Sequence, residues 1–200
     1  HPPLDELAQL VAPVHCLDED GCPGAYLPLA LSPDEQQLAW ISWEHPQMPW
    51  DGTQLRLADI DPQGNLVNTT ILAGNESEAV NSPVWSNSGK LFFVSDASGF
   101  WNVWESDTKG SKRQLVSESA EWAHPMWIVG THLLRILDSG ELVGIHGNPA
   151  QERIAVIDPS TGTWRDLECN LTNFAHLSVY QDRIFAIGGG PKILSALVEL

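Results

Sequence analysis

Basic residues are scarce in this chain. Ten Lys plus Arg stand against 26 Asp plus Glu in 200 residues, for a formal net charge of −16. Phosphate backbones are held by a basic stripe. The only basic cluster, Lys109, Lys112 and Arg113, falls at an expected turn, so nucleic acid is not a partner. Long apolar runs are missing as well, none approaching the ~18 residues of a membrane helix, so no membrane partner is expected. Cysteine appears at Cys16, Cys22 and Cys169 only. An odd number at irregular spacing makes neither a disulfide framework nor a zinc knuckle. Free thiols suit a reducing compartment, and the expected location is cytoplasmic. Seven His occur without a His-x-x-x-His pair, so no metal site is expected. No Gly-x-Ser-x-Gly occurs, which removes the nucleophile elbow from these residues. Gly188-Gly189-Gly190 runs into Pro191 and an expected strand rather than a helix, so it is no phosphate loop. No cofactor is expected.

Helical periodicity is confined to a possible short helix over Leu4–Val11. The rest reads as short strands between turns. Lys90-Leu91-Phe92-Phe93-Val94 is a compact apolar run of the kind that is buried on both faces. Turn formers flank it at Ser86–Gly89 and Ser95–Gly99, and Phe100 to Glu105 returns as a strand. Such a hairpin cannot bury its own apolar surface, and the chain supplies neighbours of the same kind. Leu29 to Trp40 repeats the strand, turn, strand cadence. Asp61-x-x-Gly64, Asp107-x-x-Gly110 and Asp158-x-x-x-Gly162 each close a third strand and precede an outer one. Asp96, Asp107 and Asp158 are expected to cap backbone N–H groups at their turns.

Four short strands repeating every 40–50 residues or so are the signature of a β-propeller. The expected class is all-β: about four consecutive four-stranded antiparallel blades, forming part of a larger ring. The expected divisions are a leading segment over 1–25 and blades over 26–74, 79–117, 122–168 and 173–200, the last stopping in its third strand. A β-sandwich is the competing architecture, but sandwich strands have no reason to repeat in fours.

Several stretches also carry a family likeness. Leu38-Ala39-Trp40, Trp43-Glu44-His45-Pro46 and Met48-Pro49-Trp50-Asp51-Gly52-Thr53 resemble a stretch of the prolyl oligopeptidase family. The likeness is to a bacterial branch of serine peptidases called dipeptidyl aminopeptidases or acylaminoacyl peptidases. Val84-Trp85-Ser86-Asn87-Ser88-Gly89 through Ser95-Asp96, then Gly99-Phe100-Trp101-Asn102, resemble a second motif of that branch. Glu121-Trp122 with Pro125, Trp127 and Gly130 resemble a third. Asn87-Ser88 and Glu35-Gln36 replace the branch's usual turn pairs but remain compatible with turns. The resemblance implies the later blades of an N-terminal propeller. It further implies a C-terminal α/β-hydrolase domain as partner and short peptides as substrate.

Glu118 and Glu121 are the candidate substrate-binding residues. Both fall in the connection leading to a blade's first strand, and first strands line a propeller's channel. A carboxylate there can pair with a peptide's free α-amino group; the competing reading is a solvated loop acid. No catalytic residue is expected within the segment. The alternative function is a non-catalytic propeller of the TolB or WD type that holds protein partners, since propellers host many functions.

Overall fold

The computed structural model describes residues 24–126, 131–148 and 150–200. The expected helix over Leu4–Val11, together with Cys16 and Cys22, lies outside them. Among the described residues the secondary structure is entirely β, in the order β1 (Gly24–Leu31), β2 (Gln37–Glu44), β3 (Gln54–Ile60), β4 (Leu66–Ala73), β5 (Val80–Trp85), β6 (Leu91–Ser95), β7 (Asn102–Ser106), β8 (Lys112–Gln114), β9 (Leu134–Ile136), β10 (Leu142–Asn148), β11 (Gln151–Ile157), β12 (Trp164–Asp166), β13 (Asn173–Tyr180), β14 (Arg183–Gly190) and β15 (Ile193–Glu199). Consecutive strands pair antiparallel into four sheets: β1–β4, β5–β8, β9–β12 and the three-stranded β13–β15. We refer to these as blades 1 to 4. No helix among the described residues is long and apolar enough to cross a membrane.

The blades stack through apolar layers, and β6 shows why its residues are all buried. Leu91 and Phe93 pack into a cluster with Ala39, Ile41, Leu55 and Leu57 of blade 1. Phe92 and Val94 point the other way, into a cluster with residues of blades 3 and 4 such as Leu134 and Phe174. Alternation along one strand thus joins blade 2 to blade 1 on one side and to blades 3 and 4 on the other. Burial of each Phe is worth about 2 kcal/mol. The indole of Trp85 also reaches across, its Nε1–H donating to the carbonyl of Ala30 at 3.0 Å.

The turns after the third strands are built alike. Asp61 Oδ1 accepts the N–H groups of Gln63 and Asn65, Asp107 Oδ1 those of Lys109 and Ser111, and Asp158 Oδ1 that of Ser160. These bonds hold all three carboxyls below the usual carboxylate range; the first cause is the Asn65 side chain for Asp61, Ser111 N–H for Asp107 and the Ser160 hydroxyl for Asp158. Gly64, Gly110 and Gly162 close the turns with φ of 84°, 89° and 77°, a region glycine enters without strain. Asp96 caps differently, accepting the N–H of Ala79 at the start of the blade's own first strand.

The first strands share a second device. β1, β5 and β13 each carry a register shift against their second strand, between Tyr26 and Leu29, Asn81 and Val84, and Ala175 and Ser178. Each is a one-residue bulge, with Ser82 and His176 at φ of 50° and 53° inside the last two. The register between β14 and β15 also shifts between Gly188 and Gly190, the extra residue lying on β15.

Candidate functional site

Glu118 and Glu121 lie between β8, the last strand of blade 2, and β9, the first of blade 3. The connection is pinned at Glu121, whose N–H and C=O both pair with Gly147 at the end of β10, each at 3.0 Å. Next to it, Trp122 N–H donates to the Trp101 carbonyl in blade 2 at 2.7 Å. Residues 118–121 are thereby held over a cavity of about 470 Å³ whose walls include Phe100, His146, Arg153, Trp164 and Asp166. Both sequence-predicted acids line this one cavity.

Neither is a solvated loop acid. Glu121 Oε2 accepts the backbone N–H of Trp101 at 2.9 Å. Glu118 Oε2 accepts the Trp122 indole N–H at 3.0 Å and lies 3.1 Å from His146 Nδ1. In each case these bonds engage Oε2, and among the described residues Oε1 accepts no hydrogen bond.

His146 was not foreseen as part of the site. It is 95% buried on β10, its side chain only 5% exposed, and stacks on Trp122 with ring centroids 4.3 Å apart. Trp122 in turn meets Trp164 edge-on at 5.9 Å. The two nitrogens of His146 each face a carboxylate: Glu118 through Nδ1, and Asp166 through Nε2 at 2.8 Å. Which nitrogen donates depends on the imidazole tautomer. Asp166 also receives Arg153 at 2.7 Å. Burial opposes ionisation of Asp166, but the bonds from Arg153 and His146 prevail and hold its carboxyl below the ordinary value.

Glu118, Glu121 and Asp166 line the cavity beside one guanidinium, that of Arg153. Outside the cavity wall, Asp96 is pushed above the ordinary aspartate value, first by burial, with the charges of Glu78 and Glu121 adding to it. Among the described residues no group of three or more His, Cys, Asp or Glu could hold a metal ion.

The sequence signal for the acids was their place in a connection. Nothing comparable marks His146, Asp166 or Arg153, which reach the cavity through the antiparallel register, His146 lying opposite Arg153 and Ala155 opposite Asp166.

No family model matches the chain, and no curated protein matches it. Solved structures do. A puromycin-hydrolyzing peptidase of Mycobacterium tuberculosis is 33% identical over 88% of this chain and 27% of its own, with a TM-score of 0.83. Prolyl oligopeptidase B from Galerina marginata superposes at a TM-score of 0.69 over 91% of this chain and 25% of its own, with 12% identity. The chain is a propeller segment of the prolyl oligopeptidase family. It spans about a quarter of the length of these peptidases. TolB from Acinetobacter baumannii shares the propeller fold, with a TM-score of 0.64 and 15% identity over 88% of this chain and 40% of its own. For the family segment, the likeness to the mycobacterial peptidase unites fold and sequence; the likeness to TolB is one of fold alone.

Proposed function

We propose that the segment is the substrate-gating part of a serine peptidase that cleaves short peptides, in the manner of dipeptidyl aminopeptidases and acylaminoacyl peptidases. The observation that carries this reading is the 33% identity and TM-score of 0.83 to a puromycin-hydrolyzing peptidase. The chemistry belongs to an α/β-hydrolase domain outside these 200 residues, because acyl transfer needs a nucleophile, a base and an oxyanion site, and these residues hold no Gly-x-Ser-x-Gly elbow. The ring limits access by size. Glu121 and Glu118 orient the substrate's amino end, a role supported by their shared place with Asp166 on one cavity wall. A cytoplasmic setting is in keeping with the exposed free thiol of Cys169.

The test is release of a chromogenic amine from short aminoacyl and peptidyl substrates by the full chain and by the 200-residue segment. Turnover by the full chain, blocked by serine-directed phosphonylating reagents, together with an inert segment is the expected result. An active segment would overturn the division of labour. A full chain without activity would favour the protein-binding scaffold that the likeness to TolB suggests.

A further inference from the structure

The acidic balance of the chain gives several cations a carboxylate partner. Lys90 and Arg113 share Glu105, Arg153 pairs with Asp166, and Arg183 with Glu199. Arg135 is half-buried and has none among the described residues. It lies on β9, the innermost strand of blade 3. Its Nε–H donates to the carbonyl of Leu177 at 3.2 Å, and that is the guanidinium's only hydrogen bond among the described residues. Leu177 sits in the bulge of β13, the first strand of blade 4, so the guanidinium spans the inner strands of two adjacent blades. Burial pushes Arg135 down to about 10. Nearby His132 is pushed down to about 4, by burial first and by the charge of Arg135 second. With His132 neutral near pH 7, the positive charge here is that of Arg135, and no carboxylate among the described residues pairs with it, in a chain whose net charge is −16.

A guanidinium presents a planar fork of donors that matches a carboxylate in two parallel bonds. We propose that Arg135 is a binding site for a carboxylate, namely the free C-terminus of a short peptide held against the inner strands. The identity of the ligand rests on the reading of the segment as part of a peptidase for short peptides. The site itself rests on a guanidinium that no carboxylate among the described residues pairs with, bonded there only to the Leu177 carbonyl. An anion there gains charge-assisted hydrogen bonds while restoring the balance that burial disturbs. Selectivity follows as well: a peptide amide offers the fork one neutral oxygen, and a longer polypeptide offers no terminus at that depth.

The experiment is equilibrium binding to the full chain of three probes: tri-alanine, tri-alanine amide and inorganic phosphate. It is run on the wild type, on Arg135→Gln and on Arg135→Lys. Loss of a charge-assisted bond corresponds to a change on the order of ten- to a hundred-fold. Wild type should therefore bind the free acid tighter than the amide by about that factor. Arg135→Gln should erase the difference without weakening the amide, and Arg135→Lys should restore part of it. A preference for the acid that survives in Arg135→Gln overturns the assignment, as does equal binding of acid and amide by wild type. In those cases the peptide reading stands and Arg135 drops out. If neither peptide binds but phosphate does, and Arg135→Gln abolishes it, the anion site stands and the peptide reading fails. If none of the probes binds, both fall.

Discussion

Glu121 Oε2 sits 2.9 Å from the backbone nitrogen of Trp101, and this contact ties the connection between β8 and β9 to the residue just before β7, the third strand of blade 2. The same junction is closed by other chemistry elsewhere. Between blades 1 and 2, Thr53 Oγ1 accepts the N–H of Val80 at 2.6 Å and donates to its carbonyl at 2.8 Å. Between blades 3 and 4, Glu152 Oε2 accepts the N–H of Phe174 at 2.7 Å. A side chain at the head of a third strand (Thr53, Glu152), or in the connection between blades (Glu121), satisfies a backbone donor that the ladders leave open. Glu121 therefore combines a latch with whatever its second oxygen does.

That double role shapes the first prediction. Glu121→Gln keeps an acceptor for Trp101 N–H and removes only the charge. In the full chain, KM for substrates with a free amino terminus should rise on the order of tenfold, with blocked substrates changed little. Steady-state kinetics on matched free and N-acylated substrates is the check, and equal effects on both classes would remove the amino-end role.

Glu152 is the latch with most to lose. Its side chain is 4% exposed and also contacts His124 Nε2 at 2.8 Å. Glu152→Ala leaves the N–H of Phe174 buried without a partner, a loss of about 1–3 kcal/mol. Urea unfolding should show it as a lower midpoint, and Glu152→Gln should recover much of the loss. A midpoint unmoved in the Ala variant would mean water replaces the carboxylate.

Two glycines separate backbone strain from crowding. Gly89 and Gly162 have nearly the same φ, 78° and 77°, yet a methyl at Gly89 meets nothing within 4 Å, whereas at Gly162 it would lie 2.0 Å from the Leu115 carbonyl oxygen. Gly89→Ala should cost about 1–2 kcal/mol from the left-handed backbone alone. Gly162→Ala should cost about 1–3 kcal/mol more, because Leu115 belongs to the preceding blade and both blades must shift. Thermal melts of the two variants decide it; equal losses would contradict the tight approach.

How much of this could be read from the residues differs by element. The turns at Asp61, Asp107 and Asp158 were legible because their bonds are local, made within four residues of the aspartate. The Leu91–Ser95 strand was legible because burial on both faces leaves a continuous apolar run. β8 ends at Gln114 although the apolar Leu115 and Val116 follow it directly. The N–H groups of Leu115 and Val116 both turn to the Val103 carbonyl, and their buried side chains join the layer between blades. Their apolar character reflected that layer rather than a strand. The His146 network was illegible since Glu118 and Asp166 meet it from 28 and 20 residues away, through register and a connection that no spacing encodes.

The fourth prediction concerns acid. The folded chain holds His132 at about 4 against an ordinary 6.5, by burial first and the charge of Arg135 second. Between those values the unfolded chain takes up the proton and the folded chain does not. Stability from this group is therefore fully present above about pH 6.5 and is lost as pH falls toward 4, by no more than about 3 kcal/mol. His132→Gln should flatten that part of the stability–pH curve measured by denaturant titration. An unchanged slope would place the acid sensitivity elsewhere.

The aspartate turns have an effect beyond their own loops. The turns from first to second strand, and in blades 1 to 3 those from third to fourth, emerge on one face, and Asp34, Asp61, Asp107, Asp138, Asp158 and Asp182 all sit there. Residues chosen to fold the backbone thus electrify one mouth of the ring. Their potential reaches out about 8 Å at physiological ionic strength and further in dilute buffer. Cationic peptides arriving by diffusion are gathered toward that mouth and anionic ones turned away, a salt-dependent bias in arrival rate that no pocket has to supply.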